Sequence, residues 1–338
     1  MDALPQFALM RPQSLDALVA ARAAHPQASL LGGGTDLLVN IRRGIIAPDV
    51  LIDVNNVAEL RRIEAGANAL EIGAAVTLAE LAAHPDVIAH YPALAQAAGH
   101  VAGPTQRVMG TLGGNLALDT RCIYYNQSEW WRDANNHCLK TTGQICHVAP
   151  KSRGVCFATF SGDLAPALLV LDAEIDIAGP HGARTLPLGD LYIGYARQDE
   201  PVTQTRGDGK YYLSLRPGEF IAAVRAKNTP GLRSGYDKIR IRRSIEYPVA
   251  GVAVALIRDG ATLADLRVAF TGTNPRPVRL LGTEKLCGGA LDARVFEGLD
   301  ALVRDQIMAM KTTFTPGHYR RRVAGVLARR LVQRLFDS

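Results

Sequence analysis

Four of the five cysteines of the chain lie close together in the sequence. Cys122, Cys138, Cys146 and Cys156 fall within 35 residues, whereas Cys287 lies far from them. In a chain without a secretory signal, clustered cysteines favour metal or redox chemistry over structural disulfides. This segment is therefore the first candidate for a functional site.

The spacing of these cysteines, C-x15-C-x7-C-x9-C, matches none of the compact metal-binding motifs. It lacks the close pairs of zinc ribbons, the C-x-x-C of thioredoxin-like proteins and the ferredoxin run. Three interpretations remain: free buried cysteines, a structural zinc site that uses His137 or His147, and a [4Fe–4S] cluster. The segment holds too few apolar residues to bury four thiols. The residues therefore favour a metal, a cluster ahead of zinc, without deciding between the two.

Two glycine-rich turns form a second candidate site. The first, LGGGTDLL at Leu31–Leu38, follows a short apolar strand, and the second is TLGGNL at Thr111–Leu116. Glycines allow backbone N–H groups to approach a phosphate closely, and Thr35, Thr111 and Asn115 could add side-chain donors. Neither turn has the spacing of the Rossmann fingerprint or of the P-loop. They indicate a nucleotide site of another kind, although tight turns that need positive φ would give the same pattern.

The segments around these turns alternate between helical and strand patterns, which is typical of an α/β region. Ser14 precedes an amphipathic run from Leu15 to Arg22 and is expected to cap a helix. Strands are predicted at 28–31, 50–54, 70–73 and 174–177, and helices at 78–83 and 163–171. Further strands are predicted at 251–257 and 266–270, and further helices at 295–310 and 319–336.

Residues 121–161 interrupt this pattern and contain the whole cysteine cluster. A structureless excursion of this length inside a compact domain is usually functional. Both tryptophans of the chain, Trp130 and Trp131, lie here and could form a small core around a cofactor. The polar stretch 197–210 is predicted to be an exposed loop, and a domain boundary near residue 218 divides the chain into residues 1–218 and 219–338.

The composition is that of a folded protein with more than one domain. The chain has 338 residues, of which 48% are hydrophobic and 21% charged, and a formal net charge of +6. These values exclude disorder as the main state. No apolar run approaches the roughly 18–20 residues that span a bilayer, and the N-terminus lacks the layout of a secretory signal. A cytoplasmic location without a membrane partner is expected, and the modest charge gives no sign of nucleic-acid binding.

Two stretches are strongly basic. Met310–Ser338 carries seven Lys and Arg residues against one acidic residue, and Arg225–Arg243 carries seven against Asp237. A solvated surface is the plainer interpretation. The alternative is long-range attraction of an acidic partner.

Taken together, these segments resemble the FAD-binding medium subunit of the xanthine oxidase family of molybdenum enzymes over nearly the whole chain. Besides the two glycine turns, the motifs that carry the resemblance are VAG at 101–103, GDLAP at 162–166, YDK at 236–238 with Arg242, RVAF at 267–270 and PRPVR at 275–279. The resemblance implies an α+β fold. It consists of a two-subdomain FAD-binding domain of the vanillyl-alcohol-oxidase/CO-dehydrogenase flavoprotein type with a cysteine-rich loop insertion, followed by a smaller α/β C-terminal domain.

The insertion is similar to one branch of this family, the β subunits of 4-hydroxybenzoyl-CoA reductases. The similarity lies in DTRC at 119–122, YNQSEWWR at 125–132 and CLK at 138–140. It implies a [4Fe–4S] cluster whose irons are ligated by Cys122, Cys138, Cys146 and Cys156.

The resemblance also implies which residues contact FAD. The two glycine turns would hold the pyrophosphate, Asp163 would bind the ribityl or ribose region, and Ile221 and Lys238 would lie near the isoalloxazine. Val101 stands where the family places a residue, often aromatic, near the flavin. The complete expected set is Ser29, Leu30, Leu31, Gly32, Gly33, Gly34, Thr35, Asp36, Val101, Thr111, Leu112, Gly113, Gly114, Asn115, Asp163, Ile221 and Lys238.

On this resemblance the chain transfers electrons and contains no catalytic residue of its own. It implies a heterotrimer, able to dimerise, with a large molybdopterin subunit and a small [2Fe–2S] subunit. Ferredoxin would supply electrons through the [4Fe–4S] cluster and FAD, and the partner subunits would reduce 4-hydroxybenzoyl-CoA to benzoyl-CoA. Two alternatives stay open: a flavin subunit of another molybdenum hydroxylase with a zinc-stapled insertion, and a non-catalytic nucleotide-binding scaffold.

Overall fold

The structure is a computed structural model that describes residues 4–66, 69–193, 207–242 and 245–338. Most of the predicted loop at 197–210 lies outside these residues. The first subdomain is a parallel three-stranded sheet in the order β1-β3-β2 with two helices. Its elements are β1 Ala8–Met10, α1 Leu15–Ala24, β2 Ser29–Leu31, α2 Leu37–Arg42 and β3 Val50–Asp53. The Ser14 hydroxyl accepts a hydrogen bond from the Ala17 N–H at 3.2 Å, which confirms the predicted cap.

The second subdomain is built on an antiparallel five-stranded sheet in the order β4-β5-β8-β6-β7. Its strands are β4 Ile63–Ala65, β5 Ala69–Gly73, β6 Glu174–Ala178, β7 Arg184–Pro187 and β8 Phe220–Lys227. Its helices are α3 Leu78–Ala83, α4 Pro85–His90, α5 Pro92–His100, α6 Pro104–Arg107, α7 Leu112–Leu116, α8 Glu129–Ala134 and α9 Leu164–Val170. Strand β8 pairs with both β5 and β6, so this sheet continues beyond residue 218.

The third unit is an antiparallel sheet in the order β12-β11-β10-β9, with β13 paired to β11 and two long helices against it. Its elements are β9 Leu232–Ile239, β10 Ala250–Asp259, β11 Thr262–Thr271, β12 Val278–Arg279, β13 Gly289–Ala290, α10 Ala293–Gln306 and α11 Gly317–Asp337. The predicted strands and helices of this region are confirmed. The strand β10 is a continuous apolar run, and the two helices have a clear helical period. Such patterns distinguish a strand from a helix.

The second and third units share one hydrophobic core. Helices α5 and α9 pack between the two sheets, and buried residues such as Leu168, Val224 and Ala253 belong to the same cluster. A separate core lies between β10, β11 and the two long helices. A continuous core of this kind fixes the second and third units relative to each other.

The cysteine-bearing segment leaves the second subdomain as a closed loop. Its ends are joined by a short antiparallel bridge in which Arg121 and Thr159 exchange N–H to carbonyl bonds of 2.9 and 2.8 Å. Between them, α8 is the only helix or strand that the structure describes. A small core forms around Cys122, Tyr125 and Cys138 and not around the tryptophans. The Trp131 ring packs at its edge, with its centroid 6.2 Å from that of Tyr124 and 6.4 Å from that of His147. Trp130 does not join it, since its side chain is 78% exposed.

The basic stretch at the C-terminus is divided between interior and surface. Arg320 is buried and donates hydrogen bonds to the carbonyls of Val249, Met310 and Gly272 and to the hydroxyl of Thr312. Its neighbours in α11, among them Arg321 and Arg322, are exposed. No helix within the described residues is long and apolar enough to cross a membrane.

Candidate functional site

The two glycine turns meet in the wall of a cavity of about 620 Å³ between the first and second subdomains. This volume falls within the range of about 300–1,000 Å³ that is usual for small-molecule and cofactor sites. The walls come from both turns, from the end of α5 and from the residues around β8. Ile245, Glu246 and Tyr247, which lie just before β10, also line the cavity.

The first turn lies directly on the backbone of the chain that leads into the second turn. A Cβ atom on Gly33 would lie 1.8 Å from the Met109 carbonyl oxygen, and one on Gly32 would lie 2.9 Å from the Thr111 hydroxyl oxygen. Gly34 has a φ of +70°, which few other residues adopt. Gly32 and Gly33 are thus required because a side chain would clash with the neighbouring chain, and Gly34 because of its backbone conformation.

The first turn also offers hydrogen-bond donors. Among the described residues, no hydrogen bond uses the backbone N–H groups of Gly33, Gly34 or Thr35. Successive free N–H groups in such a turn form a concavity that binds anions. This turn therefore fits the pyrophosphate of a dinucleotide cofactor.

The second turn lines the cavity, but the N–H groups of its two glycines are already used in hydrogen bonds within the protein. The Gly113 N–H donates to the Ala74 carbonyl at 2.8 Å, and the Gly114 N–H donates to the Thr111 hydroxyl at 3.2 Å. The Asn115 side-chain oxygen accepts from the Leu164 N–H at 3.0 Å. The last of these bonds holds α7 against α9. The lack of glycine side chains lets a ligand come close to the backbone.

The cavity brings together most of the residues that the sequence predicts to contact FAD. All of them line it except Leu31, Leu112 and Lys238. Leu112 is fully buried in the core behind the second turn. Lys238 reaches the site indirectly, through Asp163.

A buried ion pair links Asp163, in the cavity wall, to Lys238 behind it. The Lys238 ammonium lies 2.9 Å from the Asp163 carboxylate, and the Tyr236 hydroxyl donates to the same oxygen at 2.5 Å. The two charged side chains are 1% and 4% exposed. Burial, followed by the Asp163 charge, raises the pKa of Tyr236 well above its ordinary value, so the phenol stays protonated.

His100 lies beside this pair, with its ring centroid 6.1 Å from that of Tyr236. Burial, followed by the charges of Arg240 and Lys238, lowers the pKa of His100 below its ordinary value. Its Nδ1 atom is buried and has no hydrogen-bond partner among the described residues. A neutral imidazole is therefore expected next to the ion pair at pH 7.

Replacing Lys238 with methionine is expected to destabilise the flavin-free protein by about 3–5 kcal/mol, because the Asp163 carboxylate is left buried without a counter-charge. Chemical denaturation followed by circular dichroism measures the loss. The double variant Asp163→Asn with Lys238→Met is expected to recover most of it.

The control for this experiment is Arg294→Met. Arg294 pairs with Asp292 at 3.1 Å, but its side chain is 91% exposed, and ion pairs in contact with solvent contribute little to stability. Equal losses for the buried and the exposed pair would contradict the role assigned to Lys238.

Sequence reasoning missed Arg121 and Tyr247, which also line the cavity. The Tyr247 hydroxyl donates to the Asp36 carboxylate at 3.4 Å, and an Arg121 nitrogen lies 3.3 Å from the other oxygen of that carboxylate. The position of Arg121, directly before Cys122, is the one sequence signal that could have drawn attention to it.

The four clustered cysteines are all buried and none forms a disulfide, so the expectation that the segment has too few apolar residues to bury four thiols is wrong. Cys122 and Cys138 pack together with Tyr125, and the Cys146 and Cys156 thiols are hydrogen-bonded to each other. Cys122 is also close enough to Cys146 for its charge to act on the Cys122 pKa. The fold thus collects in one buried region four thiols that are 34 positions apart from first to last.

Hydrogen-bond donors and cations surround these thiols. Backbone N–H groups donate to sulfur from Tyr125 to Cys122 at 3.4 Å and from Ala158 to Cys156 at 3.5 Å. The positive charge of Lys140 favours the thiolate of Cys156. Such donors and charges stabilise thiolates, the form in which cysteine binds metal.

The thiols differ in their tendency to ionise. Burial raises the pKa of Cys122 to about 11. The hydrogen bond from Cys156 lowers the pKa of Cys146 to about 5, and the same bond, with burial, raises the pKa of Cys156. The two neighbouring thiols share one proton, which accounts for the lowered pKa of Cys146 and the raised pKa of Cys156.

The arrangement does not suit a single metal ion. Within the described part of the chain, no three His, Cys, Asp or Glu side chains are grouped so that they could hold one ion. Of the two histidines that the zinc interpretation would use, His147 is otherwise engaged: its Nε2 lies 2.6 Å from the His137 carbonyl oxygen, and its ring packs on Tyr124. In a [4Fe–4S] cluster each thiolate binds a different iron, so the sulfurs need not converge on one point.

Cys287 differs from the other four. It is half-buried, not fully buried as an ordinary core thiol would be, and its sulfur lies 3.5 Å from the Thr283 carbonyl oxygen. It packs at the edge of the core between β11 and the long helices.

Comparisons with known proteins cover almost the whole chain. The FAD binding domain in molybdopterin dehydrogenase matches residues 5–226, and the CO dehydrogenase flavoprotein C-terminal domain matches residues 235–335. The chain is 32% identical over 320 residues to the aldehyde oxidoreductase FAD-binding subunit PaoB of Escherichia coli (strain K12), covering 90% of this chain and 91% of that protein. It is 27% identical over 281 residues to the carbon monoxide dehydrogenase medium chain of Hydrogenophaga pseudoflava, covering 82% and 78%.

Solved structures share the same architecture. The crystal structure of the cyanide-inactivated Cu,Mo-CO dehydrogenase superposes with a TM-score of 0.78 at 24% identity, covering 99% of both chains. Quinoline 2-oxidoreductase from Pseudomonas putida 86 gives a TM-score of 0.73 at 21% identity, covering 99% of this chain and 98% of that one. The expected fold, a FAD-binding domain followed by a C-terminal domain of the CO dehydrogenase flavoprotein type, is confirmed.

Proposed function

The chain belongs to the FAD-binding subunits of the molybdenum hydroxylase family, and from this membership we propose that it transfers electrons through two cofactors, FAD and a [4Fe–4S] cluster. The observation that carries the second cofactor is the insertion: four buried, disulfide-free cysteines lie on a closed loop whose stem residue, Arg121, lines the FAD cavity. The chain itself carries no substrate chemistry, which takes place on a partner subunit.

The residues of the cavity fit FAD. The free N–H groups of the first turn bind the pyrophosphate, and the glycines of the second turn allow the cofactor to lie against the backbone. Asp163 faces the same space and is fixed by Lys238. When bound, FAD exchanges one or two electrons at a time, which suits it to connect one-electron carriers with two-electron chemistry.

The residues of the insertion fit a cluster. Cys122, Cys138, Cys146 and Cys156 supply four thiolates, and amide donors and Lys140 offset their negative charge. The thiols are free in the described structure, which agrees with the proposed location in a reducing cytoplasm.

The proposed partners are a large molybdopterin subunit and a small [2Fe–2S] subunit, with ferredoxin as the external electron donor. The proposed reaction of the assembly is the reduction of 4-hydroxybenzoyl-CoA to benzoyl-CoA. It is supported by the similarity of the insertion to the β subunits of these reductases, namely DTRC at 119–122 and CLK at 138–140.

A second candidate reaction is the oxidation of an aldehyde. It is favoured by the 32% identity, over 90% of this chain, to a subunit named for an aldehyde oxidoreductase. In that case electrons pass through this chain in the opposite direction, from the molybdenum subunit to an external acceptor. The roles of the cavity and of the cysteines stay the same.

The test is a cofactor analysis of the purified native complex, with FAD, iron, zinc and molybdenum measured together with the absorption spectrum. Flavin bands over a broad, reducible iron–sulfur absorption are expected. Flavin with zinc and no iron attributable to this chain would reject the cluster, and absence of flavin would reject the whole proposal. Turnover with 4-hydroxybenzoyl-CoA and a reduced low-potential donor, against turnover with aldehydes and an acceptor dye, decides between the two reactions.

A further inference from the structure

Lys140 is a buried cation in the cysteine region. Its side chain is 5% exposed, and its ammonium lies 2.7 Å from the carboxylate of Asp119, a residue that lines the FAD cavity. The ammonium also donates to the Thr120 hydroxyl and, at 2.6 Å, to the Gly209 carbonyl. An ammonium has three N–H bonds, and all three are used within the protein. Lys140 can therefore act on further groups only through its charge.

The contacts of Lys140 hold this charge among the clustered cysteines. Lys140 lies two positions after Cys138 in the chain. The Gly209 N–H donates to the Cys156 carbonyl at 2.8 Å, so the residue that accepts from Lys140 is itself bonded to Cys156. The ring of Tyr125, which packs against Cys138, has its centroid 5.3 Å from the ammonium.

The counter-ion of Lys140 offsets this charge only in part. Asp119 is 31% exposed, so water screens its carboxylate, and the same carboxylate lies 3.8 Å from the Arg121 guanidinium. The ammonium of Lys140 is shielded from water, and buried charges are screened much less than exposed ones. A positive charge thus acts within the region where the four thiols lie.

We propose that Lys140 raises the reduction potential of the [4Fe–4S] cluster through this charge, without binding iron. The inference rests on the proposed function, which places the cluster on these cysteines. Reduction moves one electron from an external one-electron donor, which is oxidised, to a site that already carries four thiolates; no bond forms or breaks and no proton is transferred. A buried cation stabilises the reduced, more negative state more than the oxidised state, and net charge is one of the factors that set cluster potentials.

The experiment is a potentiometric titration of the purified complex, in which the electron paramagnetic resonance signal of the reduced cluster is recorded against the applied potential. The signal that Cys138→Ser removes identifies the cluster of this chain. Lys140→Met keeps an unbranched side chain of similar size and removes the charge. At a fixed potential it is expected to raise the ratio of oxidised to reduced cluster about tenfold, which corresponds to a midpoint lower by about 59 mV. Lys140→Arg keeps the charge and should restore a midpoint close to that of the wild type.

The control is Lys151→Met. Lys151 belongs to the same insertion but is exposed, so water and salt screen its charge. Its replacement should move the midpoint much less than Lys140→Met does. An equal shift in the two variants would overturn the role assigned to Lys140, because any positive charge of the insertion would then have the same effect.

A purely structural role of Lys140, to tie the insertion to Thr120 and Gly209, makes a different prediction. Such a role would lower the iron content of Lys140→Met and leave the midpoint of the remaining cluster unchanged. If Lys140→Met loses its iron completely, Asp119→Asn decides. This variant keeps an oxygen acceptor for the ammonium and removes the negative charge beside it, so the midpoint should rise. An unchanged or lower midpoint in Asp119→Asn would overturn the inference.

The outcomes separate this inference from the function on which it rests. If the native complex shows no iron–sulfur signal that Cys138→Ser removes, the proposed cluster fails, and the inference fails with it. If the signal is present, and Lys140→Met retains its iron with an unchanged midpoint, the function stands and the inference is overturned.

Discussion

Replacement of Cys138 by serine is expected to remove the cluster from this chain while leaving FAD in place. A serine hydroxyl is a poor ligand for iron at neutral pH, because it stays protonated, whereas cysteine binds iron as the thiolate. The iron content of the complex should fall by about four atoms per chain, the number in one [4Fe–4S] cluster. The FAD content should stay constant, since Cys138 does not line the flavin cavity. Metal analysis and flavin release from the same preparation give both values.

Cys287→Ser is the matched control for this experiment. The Cys287 thiol is half-buried, contacts the Thr283 carbonyl and lies outside the insertion, so its replacement should leave iron and flavin unchanged. Turnover driven by a reduced one-electron donor should fall only in the Cys138 variant. Full iron content in that variant would exclude Cys138 as a ligand, and zinc in place of iron in the wild type would favour the structural alternative.

Elements with a strong local pattern could be predicted from the sequence. The cap of α1 by Ser14 follows from the type of one residue, and the strand β10 follows from a continuous apolar run. The two glycine turns were recognisable because close backbone contact excludes side chains at such positions, as the Gly33 and Met109 contact shows. The family resemblance added Asp163 and Lys238, which no local pattern marks as partners.

Features that depend on distant pairings could not be predicted. Arg121 meets Asp36 across 85 positions of the sequence, and nothing near either residue specifies that contact. The two tryptophans are adjacent in the chain, yet Trp131 packs beside Tyr124 and Trp130 is exposed to solvent. A short helix places neighbours on different faces, and only the tertiary structure decides which face is covered.

Replacement of Gly33 by alanine is expected to abolish FAD binding. The added Cβ would lie 1.8 Å from the Met109 carbonyl oxygen and 2.7 Å from the Gly110 nitrogen, far inside the contact distance of about 3.5–4.0 Å between non-bonded atoms. Both neighbours are backbone atoms, so the clash cannot be relieved by a change of side-chain rotamer. Gly110 lines the cavity, and any shift of this backbone displaces the two turns relative to each other.

The expected loss of FAD binding is large because the first glycine turn binds the pyrophosphate through its N–H groups. Overpacking in a well-packed region costs about 1–3 kcal/mol of stability, which a multidomain protein with two large cores can tolerate. The free N–H groups of Gly34 and Thr35, however, must converge on one anion, and a small displacement removes that convergence. We therefore expect a complex that folds, retains iron and contains no measurable FAD. Gly289→Ala, at a position where a Cβ meets no atom within 4 Å, should retain the wild-type FAD content; an equal FAD content in the Gly33 variant would show that the two turns do not pack as described.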